Sequence, residues 1–157
     1  MSIPTRVLLV EDNPADADLV MEAFEREKIS VVIDIVQDGQ AALDYLYELE
    51  PEASSQRPDI ILLDLNLPRK SGQEVLAEIK ADASLKTIPV VILSTSALEE
   101  DILGTYNLHA NGYVTKPGNL REYSKVAHGI DDFWFNIARL PRSPSWRTYT
   151  DQDQKNN

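Results

Sequence analysis

The sequence contains no cysteine among its 157 residues. This absence excludes disulfide bonds and thiolate metal sites, and it predicts a cytoplasmic location. No apolar run approaches the roughly 18 residues of a membrane span, and no basic and apolar leader follows Met1. The formal net charge of −11 argues against nucleic-acid binding, which needs clustered Lys and Arg. The charge is compatible with a protein partner or a metal ion.

The length and composition predict one soluble domain. Hydrophobic residues make up 43% of the chain and charged residues 26%, which is ordinary for a globular protein with a single core. We assign residues 1–140 to this domain, including a long C-terminal helix. Pro141 and Pro144 end that helix, and residues 141–157 form a polar tail.

The most informative stretch is a run of four aliphatic residues, 60–63, that is followed directly by Asp64. A run without alternation is typical of a strand buried on both faces of a parallel sheet. Asp64 is then expected to be exposed at the edge of the sheet where α/β proteins bind ligands. Taken alone, however, an aspartate after a strand is often only a turn former or helix cap.

Strands and helices alternate along the whole chain. Helix starts are indicated by Asn13-Pro14, by Asp38-Gly39, and by the capping-box pairs Ser71/Glu74 and Ser96/Glu99. The predicted strands are residues 6–10, 31–36, 60–63, 88–93 and 112–115. This pattern predicts an α/β protein with a flavodoxin-like, doubly wound, five-stranded parallel sheet in the order 2-1-3-4-5. An extended C-terminal helix follows the last strand.

This strand order brings polar residues from separate parts of the chain to one edge. Glu11 and Asp12 follow the first strand, Asp64 the neighbouring third strand, Ser94 the fourth and Lys116 the fifth. Two unit charges about 4 Å apart interact by ~4 kcal/mol at an effective dielectric near 20, so three carboxylates need a cation. An all-oxygen cluster suits Mg²⁺.

The same set of residues fits phosphoryl transfer. A carboxylate can attack phosphorus and become an acyl phosphate. A lysine and a hydroxyl beside it neutralise and hydrogen-bond the phosphoryl oxygens, which is most of what this reaction asks of a protein. Taken alone, Lys116 before a proline indicates only a turn, and Ser94 before a helix indicates only a cap. Their position at the same edge of the sheet as the acids is what indicates a shared site.

Glu11-Asp12, Asp64, Ser94, Tyr113 and Lys116-Pro117 resemble the motifs of response-regulator receiver domains, with a CheY-like fold, over residues 5 to about 130. The resemblance implies that Asp64 is the phosphoacceptor and that the donor is a sensor histidine kinase. It implies a phosphoacceptor that supports its own phosphorylation and dephosphorylation, not an enzyme acting on other substrates. Glu11 and Ser94 stand where the family often has Asp and Thr, and both variants keep the chemistry.

The resemblance also implies roles for the other residues of the site. Asp12, Asp64 and the main-chain carbonyl of Asn66 would bind Mg²⁺, and Glu11 would hold the ion through water. Lys116 would bind the phosphoryl group. Ser94 and Tyr113 would form a pair of switch residues that alters the surface of the fourth helix, fifth strand and fifth helix.

Two further stretches resemble a narrower group. Residues 107–120 and 130–134 look like those of the stand-alone regulators that work with cyanobacterial phytochromes. This resemblance implies a phytochrome-type, light-regulated kinase as the phosphodonor.

The final helix is predicted to run from about residue 119 to residue 139. Ile130, Phe133, Trp134 and Ile137 share one face of it. Two interpretations of this apolar stripe stay open. It folds back on its own domain, or it forms a homodimer or kinase-docking surface.

Three other functions fit the sequence less well than a receiver domain does. A metal-dependent phosphatase with an aspartyl nucleophile usually needs a second acid two residues on, where this chain has Asn66. A flavin-binding module cradles phosphate after its first strand, where Glu11 and Asp12 would repel it. A non-phosphorylated interaction scaffold would not need the complete set of acids, hydroxyl and lysine.

Overall fold

The computed structural model describes residues 4–49 and 56–141, in which five parallel strands alternate with five α-helices. The strands are β1 (Thr5–Val10), β2 (Val31–Val36), β3 (Ile60–Leu63), β4 (Val90–Ser94) and β5 (Gly112–Thr115). The helices are α1 (Pro14–Arg26), α2 (Gly39–Tyr47), α3 (Gly72–Ala81), α4 (Glu99–Asn107) and α5 (Leu120–Ile130). A π-helical segment, Asp131–Ile137, continues from α5.

The strand order is β2-β1-β3-β4-β5, and all four neighbouring pairs are parallel. This confirms the predicted fold and strand order. In the register of the sheet, Val10 at the end of β1 lies opposite Leu63 at the end of β3. The residues that follow these two strands therefore leave the sheet side by side.

The sheet is covered on both faces, which explains the unbroken aliphatic run in β3. Ile61 and Leu63 belong to the apolar cluster under α2 and α3, whereas Ile60 and Leu62 belong to the cluster under α1 and α5. Each of these four side chains is at most 2% exposed. A polar residue in this strand would lose its water on either face.

Four of the five helix starts are capped by side chains at the positions that the sequence indicated. Asn13, Asp38, Ser71 and Asn119 each accept at least one backbone N–H from the first turn of the helix that follows. The capping box predicted for Ser96 and Glu99 is wrong. Ser96 Oγ instead donates to Asp101 Oδ2 at 2.5 Å, and α4 starts after Leu98 without a side-chain cap.

The prediction of one regular α-helix to about residue 139 also needs correction. The α-helix ends at Ile130, and the next seven residues form the wider π-helical segment. Its last bond runs from the Ala138 N–H to the Phe133 carbonyl, five residues back, at 2.6 Å. Ala138 is extended and ends the segment.

The wider turn divides the predicted apolar stripe. Ile130 and Trp134 pack against the cluster under α1 and α5, and Phe135 joins them by stacking on Phe24 with ring centroids 6.4 Å apart. Phe133 and Ile137 remain 51% and 73% exposed. The stripe therefore folds back in part and leaves two large apolar side chains at the surface.

Some predictions lie outside the described residues. They concern the polar tail after Pro141, which includes Pro144. The boundary between domain and tail near residue 140 stays a prediction. Among the helices of residues 4–49 and 56–141, none is long and apolar enough to span a bilayer.

Tyr123 in α5 gives a stability prediction because its hydroxyl is buried and has no hydrogen-bond partner among the described residues. Burial, and then the negative charge of Asp16, raises the pKa of Tyr123 to about 12. An unpaired buried hydroxyl costs about 1–3 kcal/mol. We expect Tyr123→Phe to raise the free energy of unfolding by about 1 kcal/mol, measured by urea denaturation.

The matched control is Tyr113→Phe, which removes a hydroxyl that does have a partner. Tyr113 Oη donates to the Ser96 carbonyl at 2.8 Å. This substitution should lower the free energy of unfolding by about 1 kcal/mol. A loss of stability in Tyr123→Phe as large as in Tyr113→Phe would contradict the assignment of an unpaired hydroxyl.

Candidate phosphoacceptor site

The site is built on the carboxyl ends of β1 and β3. The Asp64 N–H donates to the Val10 carbonyl at 3.1 Å, and the Glu11 N–H donates to the Val36 carbonyl at 3.0 Å. These bonds continue the parallel ladder by one residue and hold both acids against the sheet. Glu11 is 2% exposed and Asp64 is 5% exposed. The expectation of an exposed Asp64 at the edge is therefore wrong, because the Lys116 ammonium and the Asn66 N–H both contact its carboxylate.

Asp12 completes a group of three carboxylates. Ligand oxygens of Glu11, Asp12 and Asp64 all lie within 4.8 Å of one another, and Asp12 is exposed whereas the other two are buried. Asn66 is exposed, and its N–H donates to Asp64 Oδ1 at 3.3 Å. The predicted acids are thus brought together, with an opening to solvent on the Asp12 side.

Lys116, which follows β5, lies inside this group of carboxylates. Its N–H donates to the Ser94 carbonyl at 2.7 Å, which extends the pairing of β4 and β5. Lys116 Nζ lies 2.5 Å from Glu11 Oε1 and 3.2 Å from Asp64 Oδ2. The side chain is 6% exposed. A nearly buried ammonium is therefore held directly against the nearly buried carboxylates.

Asp16 is the member of the site that sequence analysis missed. It lies in the first turn of α1, and its Oδ2 is 3.0 Å from Lys116 Nζ. Asp16 stands four residues before Val20, which is buried on the inward face of the helix. That i, i+4 spacing was the available signal that Asp16 points inward.

The electrostatics of the group are visible in two shifted pKa values. Burial, followed by the hydrogen bond to Asp64, raises the pKa of Glu11 to about 7, although Lys116 opposes the shift. Burial also lowers the pKa of Lys116, but hydrogen bonds to Glu11 and Asp16 and the charge of Asp64 outweigh it, so that this pKa is raised. One ammonium therefore does not fully compensate the acids, and a further cation fits this set of oxygen donors.

Ser94 and Tyr113 both form a hydrogen bond with Ser96, two residues after the end of β4. Ser94 is fully buried as the last residue of that strand, and its Oγ accepts the Ser96 N–H at 3.2 Å. Tyr113 is half-buried and donates to the Ser96 carbonyl. The hydroxyl and the phenol are thus linked through the loop between β4 and α4.

Known proteins are similar to this chain in both sequence and fold. The family model of the response regulator receiver domain matches residues 7–128. Response regulator Rcp1 of Synechocystis is 47% identical over 138 residues, which are 88% of this chain and 94% of Rcp1.

Two solved structures each align with 88% of this chain, and the alignment includes 99% of the solved chain. They are the Mn²⁺-bound form of Rcp1, with a TM-score of 0.78 and 47% identity, and the phosphorylated cyanobacterial phytochrome response regulator RcpA, with a TM-score of 0.80 and 48% identity. With its acids, lysine and hydroxyl at the carboxyl edge of a 2-1-3-4-5 sheet, this chain belongs to the response regulator receiver domain family.

Proposed function

We propose that Asp64 is the phosphoacceptor of this response regulator and that it receives its phosphoryl group from a sensor histidine kinase. The main support for this proposal is the contact of Lys116 Nζ with Asp64 Oδ2 within a buried group of acids. An ionised carboxylate is the nucleophile in this chemistry, and the Lys116 ammonium stands directly beside the Asp64 oxygen. It also lies where it can meet the charge of an incoming phosphoryl group.

The transfer forms one bond and breaks one. An Asp64 Oδ atom bonds to phosphorus while the bond between phosphorus and the histidine nitrogen breaks. The electron pair of that bond goes to the imidazole, which takes a proton from solvent. Lys116 and the Ser94 hydroxyl then donate hydrogen bonds to phosphoryl oxygens, so that the chain acts as phosphoacceptor rather than as an enzyme on other substrates.

Mg²⁺ is the metal ion that we propose for the site. When bound, it neutralises carboxylate and phosphoryl oxygens and orients them. Asp12, Asp64 and the Asn66 carbonyl would hold it directly, and Glu11 would hold it through water. The exposure of Asp12 supports this choice because Mg²⁺ keeps several of its water ligands.

Phosphorylation is proposed to act on the surface through Ser94 and Tyr113. The Ser94 hydroxyl now accepts from the Ser96 N–H, and turning it toward a phosphoryl oxygen breaks that bond. The loop that carries Ser96 is then free to move, and the Tyr113 side chain is bonded to the same loop. Coupling of this kind is typically ~1–3 kcal/mol and would change the α4, β5 and α5 surface.

The donor that we propose is a phytochrome-type histidine kinase in the cytoplasm. The support is the similarity to RcpA, which is described as a phytochrome response regulator, at 48% identity over 88% of this chain. The net charge of −11 gives no support to a nucleic-acid partner.

The experiment that tests the function is transfer of phosphate from a phosphorylated histidine kinase to the full chain, with and without Mg²⁺. Intact-mass analysis should show one added phosphoryl group, and chelation of the metal should prevent its formation. No transfer under either condition would favour the interaction scaffold. Steady turnover of a small phosphomonoester would favour the phosphatase.

We also propose that the chain forms a homodimer through Phe133 and Ile137, the two exposed apolar residues of the π-helical segment. In a twofold contact each copy presents the same pair to the other, so apolar area meets apolar area. A double Phe133→Asp, Ile137→Asp variant should weaken association at least tenfold in sedimentation experiments, with and without beryllofluoride.

The control for this prediction is Leu103→Asp, which changes an apolar side chain of α4 that is 61% exposed. It should leave the association as in the wild type. Dissociation by Leu103→Asp, with the double variant unaffected, would move the interface to α4. Trp134 packs on its own domain, so its substitution would disturb the core as well as the surface.

A further inference from the structure

Asp16 contacts the ammonium of Lys116 without belonging to the group of proposed metal ligands. Lys116 Nζ has three N–H donors. Three carboxylates stand within reach of it, namely Glu11, Asp64 and, at 3.0 Å, Asp16. The first two leave the sheet from neighbouring strands, whereas Asp16 approaches from α1. The three donors of the ammonium are therefore matched by acceptors from both the sheet and a helix.

The position of Asp16 is fixed by the start of α1. Asn13 Oδ1 accepts from the Ala15 N–H at 2.9 Å and from the Asp16 N–H at 3.2 Å. Ala17 and Val20 bury the same turn and the next one against the rest of the domain. The Asp16 carboxylate is therefore presented from a rigid turn, although 26% of the side chain is exposed.

The contacts of Lys116 with the other two acids cannot all persist during the reaction. On phosphorylation the Asp64 carboxylate becomes an acyl phosphate, whose negative charge lies on the phosphoryl oxygens, and Glu11 is the residue proposed to hold the metal through water. Asp16 has neither task. Its contact is the one that can hold the flexible lysine side chain in place before, during and after the transfer.

We propose that Asp16 is a positioning residue, which holds the Lys116 ammonium where an incoming phosphoryl oxygen can take the hydrogen bond now made to Asp64. This inference rests on the proposed role of Asp64. A lysine side chain that is free to turn loses rotamer entropy when it is ordered. In the wild type, Asp16 orders the Lys116 side chain before the reaction. Without Asp16, the side chain would have to become ordered during phosphoryl transfer.

The test compares three variants for the rate of phosphorylation by a small acyl phosphate donor in saturating Mg²⁺. Asp16→Ala should slow the reaction about tenfold, which corresponds to about 1.4 kcal/mol. Asp16→Asn keeps an oxygen acceptor at the same place without the charge, and its rate should stay within about threefold of the wild type. Asp18→Ala removes the same charge from an exposed position on the same helix and should have no effect.

The outcomes separate this inference from a purely structural role and from the proposed function itself. An Asp16→Ala variant as fast as the wild type overturns the inference, and so does an Asp16→Asn variant as slow as Asp16→Ala. Equal slowing by Asp18→Ala assigns the effect to net charge and also overturns it. If the wild type is not phosphorylated on Asp64 by either donor, the proposed function has failed instead.

Discussion

Asp64→Asn is expected to abolish phosphorylation and to leave the fold intact. An amide oxygen is a poor nucleophile toward phosphorus. Asp64 is the carboxylate that follows β3 and contacts Lys116, so its replacement removes the proposed nucleophile. The substitution keeps the size of the side chain and an oxygen that can still accept the Asn66 N–H. It also removes the charge that helps to raise the pKa of Glu11, so the metal-free protein should melt no lower than the wild type.

The measurement is intact-mass analysis after incubation with a phosphorylated kinase and Mg²⁺. Asp44→Asn serves as the control, since it changes an exposed carboxylate of α2 that lies outside the acid group. The control should be phosphorylated as fully as the wild type. A phosphoryl group that still appears on Asp64→Asn at the wild-type level would assign the acceptor to another residue.

Gly72→Ala is expected to destabilise the domain and to displace the phosphoacceptor at the same time. A Cβ atom at Gly72 would lie 2.2 Å from the Asp64 carbonyl oxygen and 2.6 Å from Leu65 Cα. Both atoms are backbone and cannot turn aside, and the Gly72 N–H is also bonded to the Leu65 carbonyl at 2.9 Å. The start of α3 or the segment after β3 must therefore move.

Overpacking of this kind typically costs about 1–3 kcal/mol. We expect Gly72→Ala to lower the free energy of unfolding by at least 2 kcal/mol, about the middle of that range, and to slow phosphorylation of the folded fraction. Gly104→Ala is the matched control, because a Cβ in the middle of α4 meets no atom within 4 Å. It should raise the stability by about 0.5–1 kcal/mol through helix propensity. Equal stability of the two variants would contradict the close approach at Gly72.

Lys116 could be predicted from the sequence as a residue of the site, whereas Asp16 could not. Lys116 was predicted because it follows a strand, and the order of a parallel sheet determines which strand ends are neighbours. Asp16 lies in a helix, where its direction depends on how α1 is rotated against the sheet and α5. Local sequence indicates the inward face of a helix, but it does not determine which distant side chain that face will meet.

The burial of Glu11 and Asp64 is a second property that the local pattern did not reveal. Both were correctly predicted at strand ends, but both are buried, and both contact Lys116 from the distant end of β5. The choice of partner for Ser96 is similar, because Glu99 and Asp101 are both near in sequence. The observed bond to Asp101 follows from the path of the loop between β4 and α4.

The sequence by itself determined the five strands, their parallel order and the meeting of Glu11, Asp12, Asp64, Ser94 and Lys116 at one edge. Hydrophobic periodicity and turn residues act locally, and the topology that they specify allows few alternatives. Only the tertiary structure decided that Asp16 joins Lys116, that the chain after Ile130 widens into a π-helical segment, and which apolar residues of that segment remain exposed. These features depend on contacts with Phe24 and the rest of the cluster under α1 and α5, which lie far away in the sequence and form only when the domain packs.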